Sequence, residues 1–155
     1  MIDKMEILKQ TPLFQHFPEN LLQYFVDTCE ERIFPAEEVI FVEMTEGDEI
    51  YLLVEGKVSV QLAMANEDAG FNIITLNPGE VIGEMAFIEE GLRAATVIAE
   101  TNVLLLTWKA SVWRKICETE PTIGYPLVLN IAKILCRRLR FMNQKIFDNA
   151  LWGFM

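Results

Sequence analysis

The chain has 155 residues, 52% of them hydrophobic and 23% charged, which suits one domain with its own core and excludes the disordered class. A formal net charge of -10 argues against a general nucleic-acid binder, because phosphate backbones are held by clustered Lys and Arg. An acidic protein that binds an anion needs a local positive site.

Cys29, Cys117 and Cys136 are odd in number, scattered and without a CxxC pair, so neither a disulfide framework nor a structural metal site is implied. The same scatter, with a single histidine, leaves no ligand set for haem or an iron-sulfur cluster. The first residues, Met1 to Glu6, form no apolar leader, and no stretch reaches the length of a membrane span. The expectation is a cytoplasmic protein with reduced thiols.

In chain order, Ile2 to Lys9 and Pro18 to about Cys29 read as two short helices, with Leu21, Leu22, Phe25 and Val26 at helical intervals. From Ile33 to Trp108 short runs rich in Val, Ile, Phe and Tyr alternate with turns at Gly47-Asp48, Glu55-Gly56, Asp68-Ala69-Gly70, Asn77-Pro78-Gly79 and Thr101-Asn102. That is the texture of an antiparallel sandwich or barrel. Val58 to Met64 alternates with period two and predicts a strand with one buried and one wet face. Ile50 to Val54 and Val103 to Leu106 are continuous apolar runs, expected in mid-sheet.

After Trp108 helical texture returns, over Lys109 to Glu118 and, beyond the Glu120-Pro121 break, from Pro126 to about Asn149. The fold class is therefore α+β: N-terminal helices, an antiparallel β-roll over residues 33–108, and C-terminal helices over 109–149. In the last helix Val128, Ile131, Leu135, Leu139, Met142 and Ile146 recur at steps of three or four. Such a stripe covers either the chain's own β-roll or a second copy in a homodimer. Residues 150–155 make an apolar tail, expected to fold back on the roll or to dock on a partner.

The segment 83–97 has a composition unusual for a plain β connection. Glu84-Met85-Ala86-Phe87-Ile88 suits a single helical turn starting at Gly83, whose free N–H groups attract an anion. Arg93 follows within reach, and its fork of donors fits two phosphate oxygens. Ala94 and Ala95 allow a ligand close to the backbone. Glu84 would repel a phosphate but can accept hydrogen bonds from a sugar hydroxyl. The alternative is that Glu84 and Arg93 merely pair with each other across a surface turn.

Gly83-Glu84-Met85-Ala86 followed by Arg93-Ala94-Ala95-Thr96 resembles the phosphate-binding cassette of cyclic nucleotide-binding domains, as in bacterial catabolite-activator-type regulators and protein kinase A regulatory subunits. The resemblance extends to Leu13-Phe14, Gly47-Asp48-Glu49-Ile50-Tyr51, Pro78-Gly79-Glu80 and Leu135-Cys136-Arg137-Arg138-Leu139. It implies a double-stranded β-helix (jelly-roll) domain over the whole chain. It also implies ribose binding by Glu84, phosphate binding by Arg93, and a backbone cradle at Gly83, Met85, Ala86, Ala94 and Ala95. By the same resemblance Ala94 favours cAMP over cGMP, and Asn143, near Met142 in the last helix, is a candidate for the adenine edge, unless it is a solvated helix residue. Met44 and Leu92 depart from the family pattern and bear on loop shape.

No nucleophile and base are paired around His16, Ser59 or Ser111, so no enzyme is expected. The bacterial regulators continue into a DNA-reading winged helix that these residues do not supply, so no direct DNA binding is expected either. No cofactor is implied beyond the nucleotide ligand. Two functions follow: a sensor that relays ligand occupancy through its last helix to a downstream protein, or a dimerisation scaffold of the same fold with a repurposed pocket.

Overall fold

In the computed structural model, which describes residues 1–63 and 70–153, short helices α1 (Lys4–Lys9) and α2 (Glu19–Thr28) precede eight strands. Asp3 caps α1 by accepting the Glu6 N–H at 3.1 Å, the role a short acceptor side chain serves at a helix start. One sheet has the order β1 (Glu30–Phe34), β8 (Val103–Lys109), β3 (Glu49–Glu55), β6 (Val81–Ile82). The other runs β2 (Val39–Phe41), β7 (Thr96–Ala99), β4 (Val58–Leu62), β5 (Phe71–Leu76). The strand pairings are all antiparallel among the described residues. The roll thus begins at Glu30, slightly before the expected Ile33.

The continuous apolar runs lie where expected, on the two central strands of the first sheet, and the reason is double burial. Tyr51, Leu53 and Leu105 point into the roll, against Val58, Leu76 and Val97 of the second sheet. Their neighbours Ile50, Leu52 and Leu106 point the other way, into a core shared with the helices. That second core centres on aromatic rings: Phe14, Phe25, Trp108 and Trp113 meet at centroid distances of 4.9 to 6.5 Å, and Trp108 donates from Nε1 to the Phe25 carbonyl at 2.9 Å.

The alternating strand departs from expectation. β4 ends at Leu62, and Met64 and the Asp68-Ala69 part of the turn lie outside the described residues. Ser59, on the face expected to be wet, is only 3% exposed, while Leu62 is 36% exposed. Along β4 burial falls from Val58 and Ser59, both buried, to Leu62 at its exposed end, so both faces are covered where the strand begins. The buried Ser59 hydroxyl accepts from Gln61 Nε2 at 3.0 Å.

At the C-terminal end α4 (Ala110–Thr119) and α5 (Pro121–Gly153) follow in close succession. The break at Glu120-Pro121 holds, but the last helix starts there and runs through Pro126, which was expected to begin it. Pro126 costs one early backbone bond in the second turn, and the packing of Leu127, Ile131 and Ile134 into the helical core offsets that loss. The expected stripe splits. Ile131 is fully buried on its own domain, whereas Leu139 and Ile146 are 61% and 63% exposed. Leu151, in the predicted tail, is exposed within α5, and residues 154 and 155 lie outside the described residues.

Candidate binding site

A short helix, α3 (Glu84–Glu89), interrupts the roll between β6 and β7. Gly83 precedes it with φ of 83°, a left-handed conformation that glycine adopts without strain. A Cβ there would lie 2.7 Å from Arg93 Nη1 and 3.0 Å from the Glu49 carbonyl oxygen. Glycine is therefore required twice, by backbone angle and by space.

Around α3 lies a recess that opens to solvent. It is lined by Gly83, Glu84, Met85, Ala86, Arg93, Ala94 and Ala95, and by apolar groups including Phe41, Val60 and Val97. The sequence-predicted residues thus come together, except Asn143. That side chain is exposed on α5 and does not line the recess.

Glu84 and Arg93 do not pair with each other. Arg93, only 3% exposed, donates from Nη2 to the Glu49 carbonyl at 3.0 Å, with the Glu49 carboxylate 3.9 Å away. Its guanidinium carbon lies 4.2 Å above the Phe41 ring, a cation–π arrangement that holds the fork in plane. Its Nε is buried without a hydrogen-bond partner. Loss of water on burial pushes the guanidinium below its ordinary pKa, and Tyr51, Glu49, Asp48 and Glu84 pull it back up. A buried cation with an unspent donor is a site prepared for an anion.

Glu84, 5% exposed, is engaged from the far end of the chain: Arg138 Nη1 on α5 donates to its Oε1 at 2.7 Å, and Arg138 Nη2 donates to the Val81 carbonyl. Arg138 also lines the recess. Sequence reasoning missed this residue as a site group, although a signal was present. It continues the inward series Leu127, Ile131, Ile134 at helical spacing, and a charge on a buried stripe calls for a partner. Phe41 and Glu49 were missed as well, for want of any local pattern.

The recess therefore has a cationic wall at Arg93, an anionic acceptor at Glu84 and an apolar lining between them. Residues 31–120 match the family described as "Cyclic nucleotide-binding domain", and the chain belongs to that family. It is 35% identical over 119 residues to the cyclic nucleotide-gated potassium channel mll3241 of Mesorhizobium japonicum, spanning 77% of this chain and 31% of the channel. Identity to the cyclic AMP receptor protein of Thermus thermophilus is 27% over 134 residues, 86% of this chain and 59% of that one. The chain thus spans under two thirds of either relative. Among solved structures, a cyclic nucleotide-binding domain from Methylobacillus flagellatus superposes with a TM-score of 0.82 at 21% identity, over 94% of this chain and 82% of that one, a likeness of fold.

Proposed function

We propose that this domain binds cAMP, with the cyclic phosphate on Arg93, the ribose hydroxyl on Glu84 and the backbone of Gly83, Met85, Ala86, Ala94 and Ala95 as the cradle. The observation that carries this reading is the unpartnered, buried Arg93 Nε beside an apolar recess whose other end holds a carboxylate. Arg93 supplies donors where the anion lies, and Glu84 accepts from the sugar. Adenine is preferred to guanine because Ala94 lines the recess without a hydroxyl to meet the guanine amino group, and the Thermus relative carries cyclic AMP in its name.

Occupancy would be passed on through α5, since Arg138 joins that helix to Glu84. A ligand hydroxyl on Glu84 would alter that joint and so bias α5 toward a second position, and the shift is what a downstream protein would read. In this reading the module is a regulatory one of the cytoplasm and performs no catalysis. The outward α5 side chains Leu139, Ile146 and Phe147 support pairing with a second copy, and Asn143, on the same outward side, would reach a base only across such a pair.

Calorimetry with cAMP and cGMP on the wild type and Arg93→Ala tests the assignment. Binding that is tighter for cAMP and lost in the variant is expected. Failure of the wild type to bind either nucleotide overturns it in favour of a dimerisation scaffold.

A further inference from the structure

The helix that carries Glu84 is held at its other end by a second arginine. Arg114 of α4 donates from Nη1 to the Ala86 carbonyl at 3.1 Å, its Nε lies 2.8 Å from Glu90 Oε1, and its Nη2 lies 3.4 Å from Asp48 Oδ1. Each contact answers a local need. The Ala86 carbonyl lies within α3, and a cation near the C-terminal end of that helix suits the negative end of its dipole. Glu90 ends α3 in a left-handed conformation, φ 51° and ψ 65°, which is uncommon for a residue other than glycine and is here tied down by the ion pair. Asp48 accepts the Ser111 N–H at 3.0 Å and the Ser111 hydroxyl at 2.9 Å, while its carbonyl accepts the Ala110 N–H at 2.6 Å. It therefore fastens the start of α4.

The two segments that Arg114 ties together are the two that seat Arg93. On one side, Glu90 leads through Gly91 and Leu92 into Arg93. On the other, Asp48 lies between Gly47 and Glu49. A Cβ on Gly47 would overlap the Arg93 guanidinium, and the Glu49 carbonyl receives Arg93 Nη2. Backbone bonds close the same seam, from Arg93 N to Thr45 O at 2.8 Å and from Met44 N to Arg93 O at 2.9 Å. Beneath it Phe87 packs edge-on against Trp113 at 5.7 Å, the residue before Arg114.

We propose that Arg114 is a positioning residue for the phosphate site, a clamp on the back of the cassette that sets the seat of Arg93 without touching the ligand. Arg138 and Arg114, from the successive helices α5 and α4, then hold the two ends of α3. The affinity of the recess depends on where α4 sits. This rests on the proposed nucleotide reading, which supplies the ligand.

The test is cAMP affinity and dissociation rate for the wild type, Arg114→Gln, Glu90→Gln, the double variant and Lys115→Gln, each with a thermal melt of the ligand-free protein. Expected is a rise in Kd of about tenfold for Arg114→Gln, mostly in the dissociation rate, and a smaller rise for Glu90→Gln. The double variant should be no weaker than Arg114→Gln, because both remove one shared contact. Lys115→Gln, the same charge change on an exposed neighbour, should bind as the wild type does. If the wild type binds cAMP and Arg114→Gln and Glu90→Gln bind equally well, the clamp is overturned while the nucleotide reading stands. If Lys115→Gln loses as much as Arg114→Gln, the effect is one of overall charge and the clamp is again overturned. A wild type that binds no cyclic nucleotide takes both down.

Discussion

Arg138 reaches from the last helix to within 2.7 Å of the Glu84 carboxylate, joining residues 54 positions apart across the mouth of the recess. Both groups are largely buried, with side-chain exposures of 19% and 6%, so each depends on the other for charge compensation. Removing one partner of such a pair costs about 3 kcal/mol or more, because the survivor stays buried and unpaired. Arg138→Gln is expected to lower the melting temperature of the free protein and to weaken cAMP binding as Glu84 loses its orientation. Differential scanning calorimetry and isothermal titration on the same samples check both effects.

Phe41 carries no charge, yet it should matter to anion binding. Its ring lies under the Arg93 guanidinium at 4.2 Å and stacks on Tyr51 at a centroid distance of 6.2 Å with planes 21° apart. Phe41→Leu keeps an apolar side chain and removes the ring. The lost cation–π attraction is about 1 kcal/mol, a loss in cAMP affinity of about fivefold, read by isothermal titration. Unchanged affinity would mean that the hydrogen bonds to the Glu49 and Gly83 carbonyls hold the arginine in place without the ring.

The cassette was legible in the sequence because its groups are close along the chain and depend on residue type: a glycine at a positive φ, a helical turn, an arginine and two alanines. The central strands were legible for a similar reason, since a continuous apolar run records burial on both faces. What surrounds the cassette was not. Glu49, Phe41, Arg114 and Arg138 each reach the site from a different element, and only Arg138 left a periodic trace. β4 misled because alternation reports the pleat, while the start of the strand is buried on both faces, at Val58 and at Ser59 alike, which local pattern cannot see. Likewise, one stripe on α5 was drawn from residues that the fold divides between its own core and the outside.

Gly83→Ala is expected to remove binding and to destabilise the fold. The backbone at φ 83° disfavours any side chain, by about 1 to 2 kcal/mol. The added Cβ also meets Arg93 Nη1 at 2.7 Å, so the guanidinium must leave its seat. Urea unfolding should show the stability loss, and titration with cAMP should show no saturable binding. Gly91→Ala is the control, because a Cβ there meets nothing within 4 Å.

Alkaline pH should weaken the fold through Tyr51. Burial raises its phenol above the ordinary value of 10.0, and the nearby Glu49 carboxylate raises it further. The folded state therefore holds its proton more tightly than the unfolded chain does. The resulting stabilisation is complete below about pH 10 and is lost as the pH rises through the raised folded value. Urea midpoints measured at pH 8, 10 and 11 should fall less steeply for Tyr51→Phe than for the wild type. The thiols of buried Cys29 and half-buried Cys117, also shifted upward by loss of water, are common to both proteins and cancel in that comparison.

The outward face of α5 makes a prediction about assembly. Leu139, Ile146 and Phe147 are exposed there, and Ala132, Cys136, Leu139, Asn143 and Ile146 follow one another at steps of three and four, the spacing of a helix-pairing seam. Cys136 is exposed, whereas Cys29 is buried and Cys117 half-buried. If two copies pair in parallel along this face, equivalent Cys136 residues approach each other across the axis, within the Cα separation of about 4.4 to 6.8 Å that a disulfide needs. Mild oxidation should then give a covalent dimer that Cys136→Ser abolishes, and Leu139→Glu should shift the sedimentation profile toward monomer by burying a charge in the seam. A protein that sediments as a monomer at micromolar concentration and resists crosslinking would leave this face to a different partner.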